Sequence, residues 1–504
     1  MRQLPWVIVS AVILIVAGLW LAGCVPRQPQ EAVEEPGYLE PFRPALISWT
    51  PADEIAWQFF PRYHISATLD LDNLILVGQE SVRFVNRQDT ELSQVLFRLY
   101  PNLPQQGGVL TVKKVKSKGI ALSYQPTAHN TAIAITCEPP LKPGQIAEFD
   151  LEFSVDIPDP QDGWVIFGRN QNIISLPDFY PMLAVYTNQG WSLKLPPFYA
   201  DAGFAEAAFY DVSITHRADW VMTGSGVIIS QTPRADGRLT TRFVAGPIRE
   251  FVVITSPDYE VITTKAGKTT VKSYYLREDA DGGRFALWRA ASALRVYSDA
   301  FGPYPFTQLI VAEAPLTYRG MEFPMLSLCG IDAYRAWRKE LGYLIIHEIA
   351  HQWWYSQVGN DPYETPWLDE GLAEYSAYTY FERVKGRQVA EELREQRWLQ
   401  SYNYAITNNM DTILAQPASA FPSYKVYEMM TYAKAALFFD ALRRAVGDEA
   451  YYEILKEYVH RNRFQIVLPE HFFNIAQEIS GRDLTPLIAE WILSSRNTGE
   501  QGNE

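Results

Sequence analysis

Between Leu344 and Tyr375 the chain reads LIIHEIAHQWWYSQVGNDPYETPWLDEGLAEY, and this stretch restricts what the chain can fold into more than any other. His347 and His351 stand four apart, so on a helix their imidazoles leave the same face one turn from each other and can converge on one metal ion. Glu370 follows after eighteen intervening residues, enough to leave a first helix, cross a loop holding Gly359, Asn360 and Pro362, and start a second. Two imidazole nitrogens and one carboxylate suit one zinc ion per chain. Three protein ligands leave a fourth tetrahedral position to water, as catalytic rather than structural sites do. Glu348 points about 100° around the helix from His347, unsuited to share the metal and well placed to take a proton from that water. A His-Glu-x-x-His string also arises by chance on any helix. Here Leu344, Ile345, Ile346, Ile349, Ala350, Trp353 and Trp354 wrap it in apolar surface, where unpartnered His and Glu would be costly, and a metal removes that cost.

The 504 residues are 47% hydrophobic, enough for two or three domains with sizeable cores. A net charge of −14, without a Lys/Arg cluster, argues against a nucleic-acid partner, and nothing in the pattern sets an oligomeric state. Three cysteines, Cys24, Cys137 and Cys329, imply no disulfide framework. Residues 1–24 carry Arg2, an apolar run from Trp6 to Leu21, and Leu21-Ala-Gly-Cys24, which reads as an export signal. The small residues before Cys24 resemble a bacterial lipobox, with Cys24 lipidated and the mature protein held on the extracytoplasmic side of a membrane; an uncleaved anchor is the alternative. Residues 25–55 are rich in Pro and Glu and read as a stiff tether.

Residues 56–260 switch to short alternating runs, among them Tyr63–Leu71, Glu80–Asn86, Val95–Leu99, Ala147–Phe153 and Phe209–Thr215, separated by Gly, Pro and Asn/Asp turns. An antiparallel all-β domain is expected. The histidines at 64, 129 and 216 are isolated and read as surface or packed side chains. Asp178-Phe-Tyr-Pro and the aromatic-rich stretch from Trp191 to Tyr199 either border a cleft or simply pack. A second domain, 261–496, begins with a strand pair near Val261 and a helix over Arg284–Phe301. It continues with an apolar strand at Leu309–Ala312, an edge strand over Tyr318–Pro324, and the metal-site helices. Beyond Glu370 helices are expected over Phe381–Trp398, Val426–Val446, Glu449–Arg461, Pro469–Ile479 and Thr485–Ser494, with residues 497–504 as a tail.

A lone Glu on an edge strand, such as Glu322, is usually just solvated. Beside a metal cleft, however, such a strand can take an extended peptide by strand addition, and a carboxylate there can hold its amino terminus. Tyr432 lies on an amphipathic helix, where tyrosine mostly packs; aimed at the metal, its phenol would donate to an oxyanion. Spacing alone does not choose it among 29 tyrosines.

Together, His347-Glu348-x-x-His351, Glu370 in Trp-Leu-Asp-Glu-Gly, Gly320-Met321-Glu322 before them and Tyr432-x-Lys434 after them resemble the aminopeptidase N family of zinc gluzincins, which includes leukotriene hydrolases. The resemblance covers about residues 56–495. It implies an α+β multidomain fold, with a saddle-like N-terminal β domain on a thermolysin-like catalytic domain whose C-terminal half is helical. It also implies that Gly320, Met321 and Glu322 bind the substrate, with Glu322 on its α-ammonium, and that Tyr432 stabilises the oxyanion. Phe323 stands where the family usually has asparagine, and Ala377 where an acidic residue is common. Glu374, one turn after Glu370, is then the residue to orient a histidine from behind. The family's proline-cysteine-acid segment is not evident, and the chain stops near Trp491, without the large C-terminal helical domain of longer members, so a more open cleft is expected.

The function expected is a zinc aminopeptidase acting on peptides, with Glu348 as general base. An endopeptidase or epoxide hydrolase on the same zinc is the first alternative, which free and N-acetylated peptides would separate. A surface binding lipoprotein with a vestigial metal site is the second, and the intact ligand set with its glutamate speaks against it.

Overall fold

The computed structural model describes residues 37–160, 166–316, 319–336 and 338–497. The lipobox with Cys24, the first part of the tether, Tyr318 of the expected edge strand and the tail from 498 lie outside the described residues.

The N-terminal domain is built on an eight-stranded sheet in the order Val227–Pro233, Arg238–Ile248, Ala208–Arg217, Arg62–Asp70, Ile75–Val85, Ile146–Asp156, Val109–Ser117 and Ile120–Ala121. All five quoted alternating runs fall on strands of this domain. In Arg62–Asp70 the alternation buries Tyr63, Ile65, Ala67 and Leu69 on one face, as a half-buried strand requires. One pairing departs from the antiparallel expectation: Arg62–Asp70 runs parallel to Ala208–Arg217, with Ile65 opposite Val212. Alternation reports which face is buried and is blind to the direction of the neighbour. Two four-stranded sheets and a two-stranded ribbon, Tyr186–Thr187 with Gly190–Trp191, complete the domain.

The second domain's sheet has the order Tyr259–Ala266, Thr269–Leu276, Gln308–Ala314, Leu326–Gly330 and Gly320–Met321. Its two inner pairings are parallel and its two outer ones antiparallel. Gln308–Ala314 is buried throughout, as expected of a strand covered on both faces. Gly320–Met321 is the edge strand, with Met321 opposite Leu328. Helix Ala280–Phe301 packs between this sheet and the helix Arg338–Ala350, and Tyr297 Oη donates to the Ile346 carbonyl at 3.1 Å.

Three expectations are corrected. The tether does not extend to residue 55: Leu39, Phe42, Ala45 and Leu46 are buried, Ile47 N donates to Pro305 O at 2.8 Å, and Thr307 N donates to Ala45 O at 2.9 Å. The apolar residues among the prolines give the segment something to bury, and it docks on the second domain. The helix expected over Phe381–Trp398 is interrupted at Gly386, whose φ of +93° stops Pro366–Lys385 before a new helix starts at Arg387. Finally, Arg338–Ala350 ends one residue short of His351. There Gln352 N and Trp353 N bond back three residues, to Ile349 and Ala350, and tighten the turn.

The two domains are pinned together by buried polar groups. Arg249 of the β domain is fully buried and donates to the carbonyls of Tyr355 at 2.6 Å, Gln465 at 2.7 Å and Ala205 at 3.1 Å. Gly359 leaves the space that its guanidinium occupies.

Candidate metal centre and substrate cleft

His347 comes from the end of helix Arg338–Ala350, His351 from the turn after it, and Glu370 from the first turns of helix Pro366–Lys385. His351 N still donates to His347 O, at 3.4 Å, so the imidazoles remain one turn apart although the regular helix has ended. Gly371 lets the second helix approach Ala435 and Phe439 more closely than any side chain would permit, setting the depth of Glu370. Trp354 Nε1 donates to Ser376 Oγ at 2.8 Å and ties the turn to that helix.

The ligand atoms face one another. His347 Nε2 lies 3.1 Å from His351 Nε2 and 3.2 Å from Glu370 Oε2, which is 3.4 Å from His351 Nε2. All three residues are buried, and they are the only group of metal-capable side chains that converges among the described residues. His351 Nδ1 donates to the Trp354 carbonyl at 2.8 Å, leaving Nε2 with a lone pair for the metal. Burial pushes His347 below the usual histidine range and so favours the neutral, ligating form. Two buried acceptor nitrogens facing a carboxylate oxygen at this range are costly without a cation between them. The donor set fits zinc.

Glu348 is buried beside the trio, and its Oε2 has no hydrogen-bond partner among the described residues. Burial, and then the Glu322 charge, push its carboxyl well above the usual range. The edge strand passes so close that any side chain at position 320 would overlap the Glu348 carboxylate, so Gly320 is required by that approach. Tyr432 lies in a π-turn over Met429–Lys434, and its hydroxyl donates to Glu370 Oε1 at 2.5 Å. Such turns re-aim a side chain within an otherwise continuous helix. Glu374 Oε2 lies 4.0 Å from His347 Nδ1, beyond hydrogen-bond reach, and accepts from Tyr343 Oη.

The trio opens into a cavity of about 1030 Å³ shared by Gly320, Met321, Glu322, Glu348, Glu370 and Tyr432. Behind Glu322 lies a small recess of about 30 Å³, walled by Asp178, Asp201, Glu250 and Glu322. Burial pushes Glu322 and Glu250 each up to about 7 and Asp201 well above the carboxylate range, the neighbouring acids adding to it. The cleft end beyond the trio is therefore a concentrated acidic pole. Asp201 and Glu250 were not picked out from sequence. Asp201 sits in the long connection between Trp191 and Ala208, whose length without regular structure is the available signal, because such loops commonly carry function. In the stretch ending at Tyr199, Phe198 and Tyr199 do border the cleft, as does Asp178 at its recess.

Residues 285–491 match the peptidase family M1 domain. The chain is 23% identical over 258 residues to Aminopeptidase M1-B of Oryza sativa subsp. japonica, covering 48% of this chain and 28% of that protein. It is 27% identical over 192 residues to Aminopeptidase B of Homo sapiens, covering 35% of this chain and 28% of that one. It thus spans less than a third of the length of these relatives. Its fold is shared by the M1 zinc metallopeptidase from Deinococcus radiodurans, with a TM-score of 0.65 over 89% of this chain and 97% of that one, at 20% identity. In fold and in the arrangement of the trio the chain is similar to the gluzincin metallopeptidases. Within that likeness, residues 285–491 are the part that matches the peptidase family M1 domain, and they contain the His347, His351 and Glu370 trio, the candidate zinc site.

Proposed function

We propose that this protein is a zinc-dependent aminopeptidase that removes the first residue of peptides. The observation that carries the reading is the acidic pole: Glu322 and Asp201 close one end of the cleft beside the metal trio, so an amino terminus held there brings the first peptide bond, and no later one, to the metal. Zinc on His347, His351 and Glu370 supplies a Lewis acid that polarises a carbonyl and acidifies water. Glu348 accepts the proton released by the attacking water and delivers it to the leaving amine. Tyr432 donates its phenolic hydrogen bond to the oxyanion, exchanging it from Glu370. Glu322 pairs with the α-ammonium through a charge-assisted hydrogen bond, and the free edge of Gly320–Met321 aligns the backbone.

Turnover of free-amine peptides against their N-acetylated counterparts, with chelator and with restored zinc, tests this. Free peptides should be cleaved from the first residue and blocked ones poorly. Equal internal cleavage of both would replace the reading with an endopeptidase.

We propose further that the protein is exported and lipidated at Cys24, on the strength of the apolar run and Leu21-Ala-Gly-Cys24. Cys24→Ser should abolish lipid labelling and leave the precursor unprocessed; unchanged labelling would refute it.

A further inference from the structure

The recess behind Glu322, about 30 Å³, has room for a group the size of one water or ammonium and none for an amino-acid side chain. Its walls are suited to a cation: Asp178 and Glu250 are buried, and Asp178 Oδ1 and Glu250 Oε1 have no hydrogen-bond partner among the described residues. With the ammonium at this end, the reacting carbonyl at the trio and the edge strand along one side, the first side chain of a substrate has to leave toward the mouth of the large cavity. The β domain reaches across at that point. Phe198 is 73% exposed although it lines the cavity. Its ring packs edge-on against Tyr199 at 5.3 Å, and Tyr199 is fixed in turn by the Tyr427 ring at 5.1 Å and by donation from its hydroxyl to the Ala418 carbonyl at 3.1 Å. Tyr424 continues the wall, with the Arg319 guanidinium over its ring and bonded to its hydroxyl at 2.6 Å. Met321, on the edge strand, lines the same cavity.

Resting on the aminopeptidase reading, we infer that this aromatic wall selects peptides whose first side chain is large and apolar, aromatic above all, and that Phe198 is the residue that sets the preference. An aromatic first residue covers the exposed Phe198 ring and meets Tyr199 and Tyr424 in the tilted and edge-to-face arrangements that aromatic pairs favour. An acidic first residue is repelled by the acidic pole. A basic one finds Asp201 and Glu322 already engaged by the α-ammonium.

The zinc-loaded protein is assayed with phenylalanyl, tyrosyl, leucyl, alanyl, arginyl and glutamyl amidomethylcoumarins. Phenylalanyl and tyrosyl substrates should exceed alanyl by about tenfold or more in kcat/KM. Phe198→Ala should lower the phenylalanyl-to-alanyl ratio several-fold with zinc content retained, and Phe198→Trp should keep it high. A preference for arginyl, glutamyl or alanyl substrates, or an equal loss on all of them in Phe198→Ala, would overturn the inference. If none of the substrates is turned over, the aminopeptidase reading fails. Calorimetric binding of L-phenylalaninamide against L-alaninamide still decides the wall: tighter binding of the former supports it, and equal binding removes it.

Discussion

Tyr432 and Lys434 are two residues apart on one π-turn, and they face opposite kinds of buried polar environment. Tyr432 points to the trio and Glu348, where buried atoms are left without partners: Glu348 Oε2, Glu370 Oε2 and His347 Nδ1 accept or donate no hydrogen bond among the described residues. Lys434 points away, into a site where every bond is made. Its ammonium donates to Asp411 Oδ1 at 2.8 Å, Thr412 O at 2.7 Å and Ser494 O at 2.8 Å, and Asp411 also accepts from Tyr402 Oη at 3.1 Å. Both sites are buried and charged, so burial does not distinguish them. Satisfaction does. A buried charge with three partners contributes to holding the fold, here anchoring the chain near Ser494 to the tyrosine turn. Buried groups without partners mark the place where something from outside must bind.

The comparison is tested most severely by Glu348→Gln. The amide cannot accept a proton, so kcat should fall roughly 10²–10⁴-fold, while zinc content and unfolding free energy stay within about 1 kcal/mol of the parent. Metal analysis and urea unfolding alongside the assay check this. A variant that unfolds more readily, or keeps its turnover, breaks the contrast on the catalytic side.

Lys434→Met should show the reverse. Leaving Asp411 buried with its cation gone should cost about 3–5 kcal/mol of stability, read by urea unfolding, while the folded, zinc-loaded fraction keeps far more activity than Glu348→Gln does. The double replacement Lys434→Met with Asp411→Leu should recover part of the loss, because removing both partners leaves no orphaned charge. A single variant as stable as the parent would show that a complete set of partners does not measure structural weight.

What the sequence discloses divides along similar lines. The trio and Glu348 stand within a short span in a recurring spacing, and their chemistry makes the apolar flanks unreasonable without a metal, so they can be read directly. The strands of the β domain follow from alternation, whereas the parallel pairing of Arg62–Asp70 with Ala208–Arg217 does not, because it joins segments far apart in the chain. Asp201 escapes for the same reason, and Phe198 is legible only as one member of an aromatic stretch that either borders a cleft or packs. Each belongs to a non-periodic connection of one domain and acquires meaning only when the other domain's edge strand is set beside it. Docking of Leu39–Leu46 was hidden by prolines that describe backbone stiffness and say nothing of the apolar side chains between them.

Glu322→Ala occupies the middle of the scale. Glu322 is buried and forms no ion pair with a Lys or Arg among the described residues, and the contrast with Lys434 assigns its partner to the substrate. Losing a charge-assisted hydrogen bond to an ammonium costs about 1.5–3 kcal/mol, or roughly tenfold to over a hundredfold in kcat/KM. The loss should fall on free-amine peptides, with little further effect on the already poor N-acetylated ones. An equal penalty on both would mean that Glu322 supports the fold of the edge strand instead of holding the substrate.

The smallest effect belongs to a charge that has its partners but is only half-buried. On the outer surface of the eight-stranded sheet, Asp211 accepts from Arg242 Nε at 2.8 Å and Nη2 at 2.6 Å, and its Oδ2 lies 3.4 Å from His64 Nδ1. Burial alone would raise the Asp211 carboxyl, but the hydrogen bonds from Arg242 and His64 outweigh it and hold the group down to about 2. A folded-state value below the ordinary 3.8 means that the unfolded chain takes up the proton first as the solution is acidified. The stabilisation is therefore fully present above about pH 4 and is lost as pH falls toward 2. The His64 side chain is 62% exposed and that of Arg242 is 42% exposed, so solvent screening reduces the contribution to about 1 kcal/mol. Subtracting the unfolding free energy of Asp211→Asn from that of the parent between pH 6 and pH 2 isolates it from the other carboxylates. The difference should be near 1 kcal/mol at pH 6 and close to zero at pH 2, and smaller in high salt. A difference that matches Lys434→Met in size would show that partners alone, without burial, give a charge its structural weight.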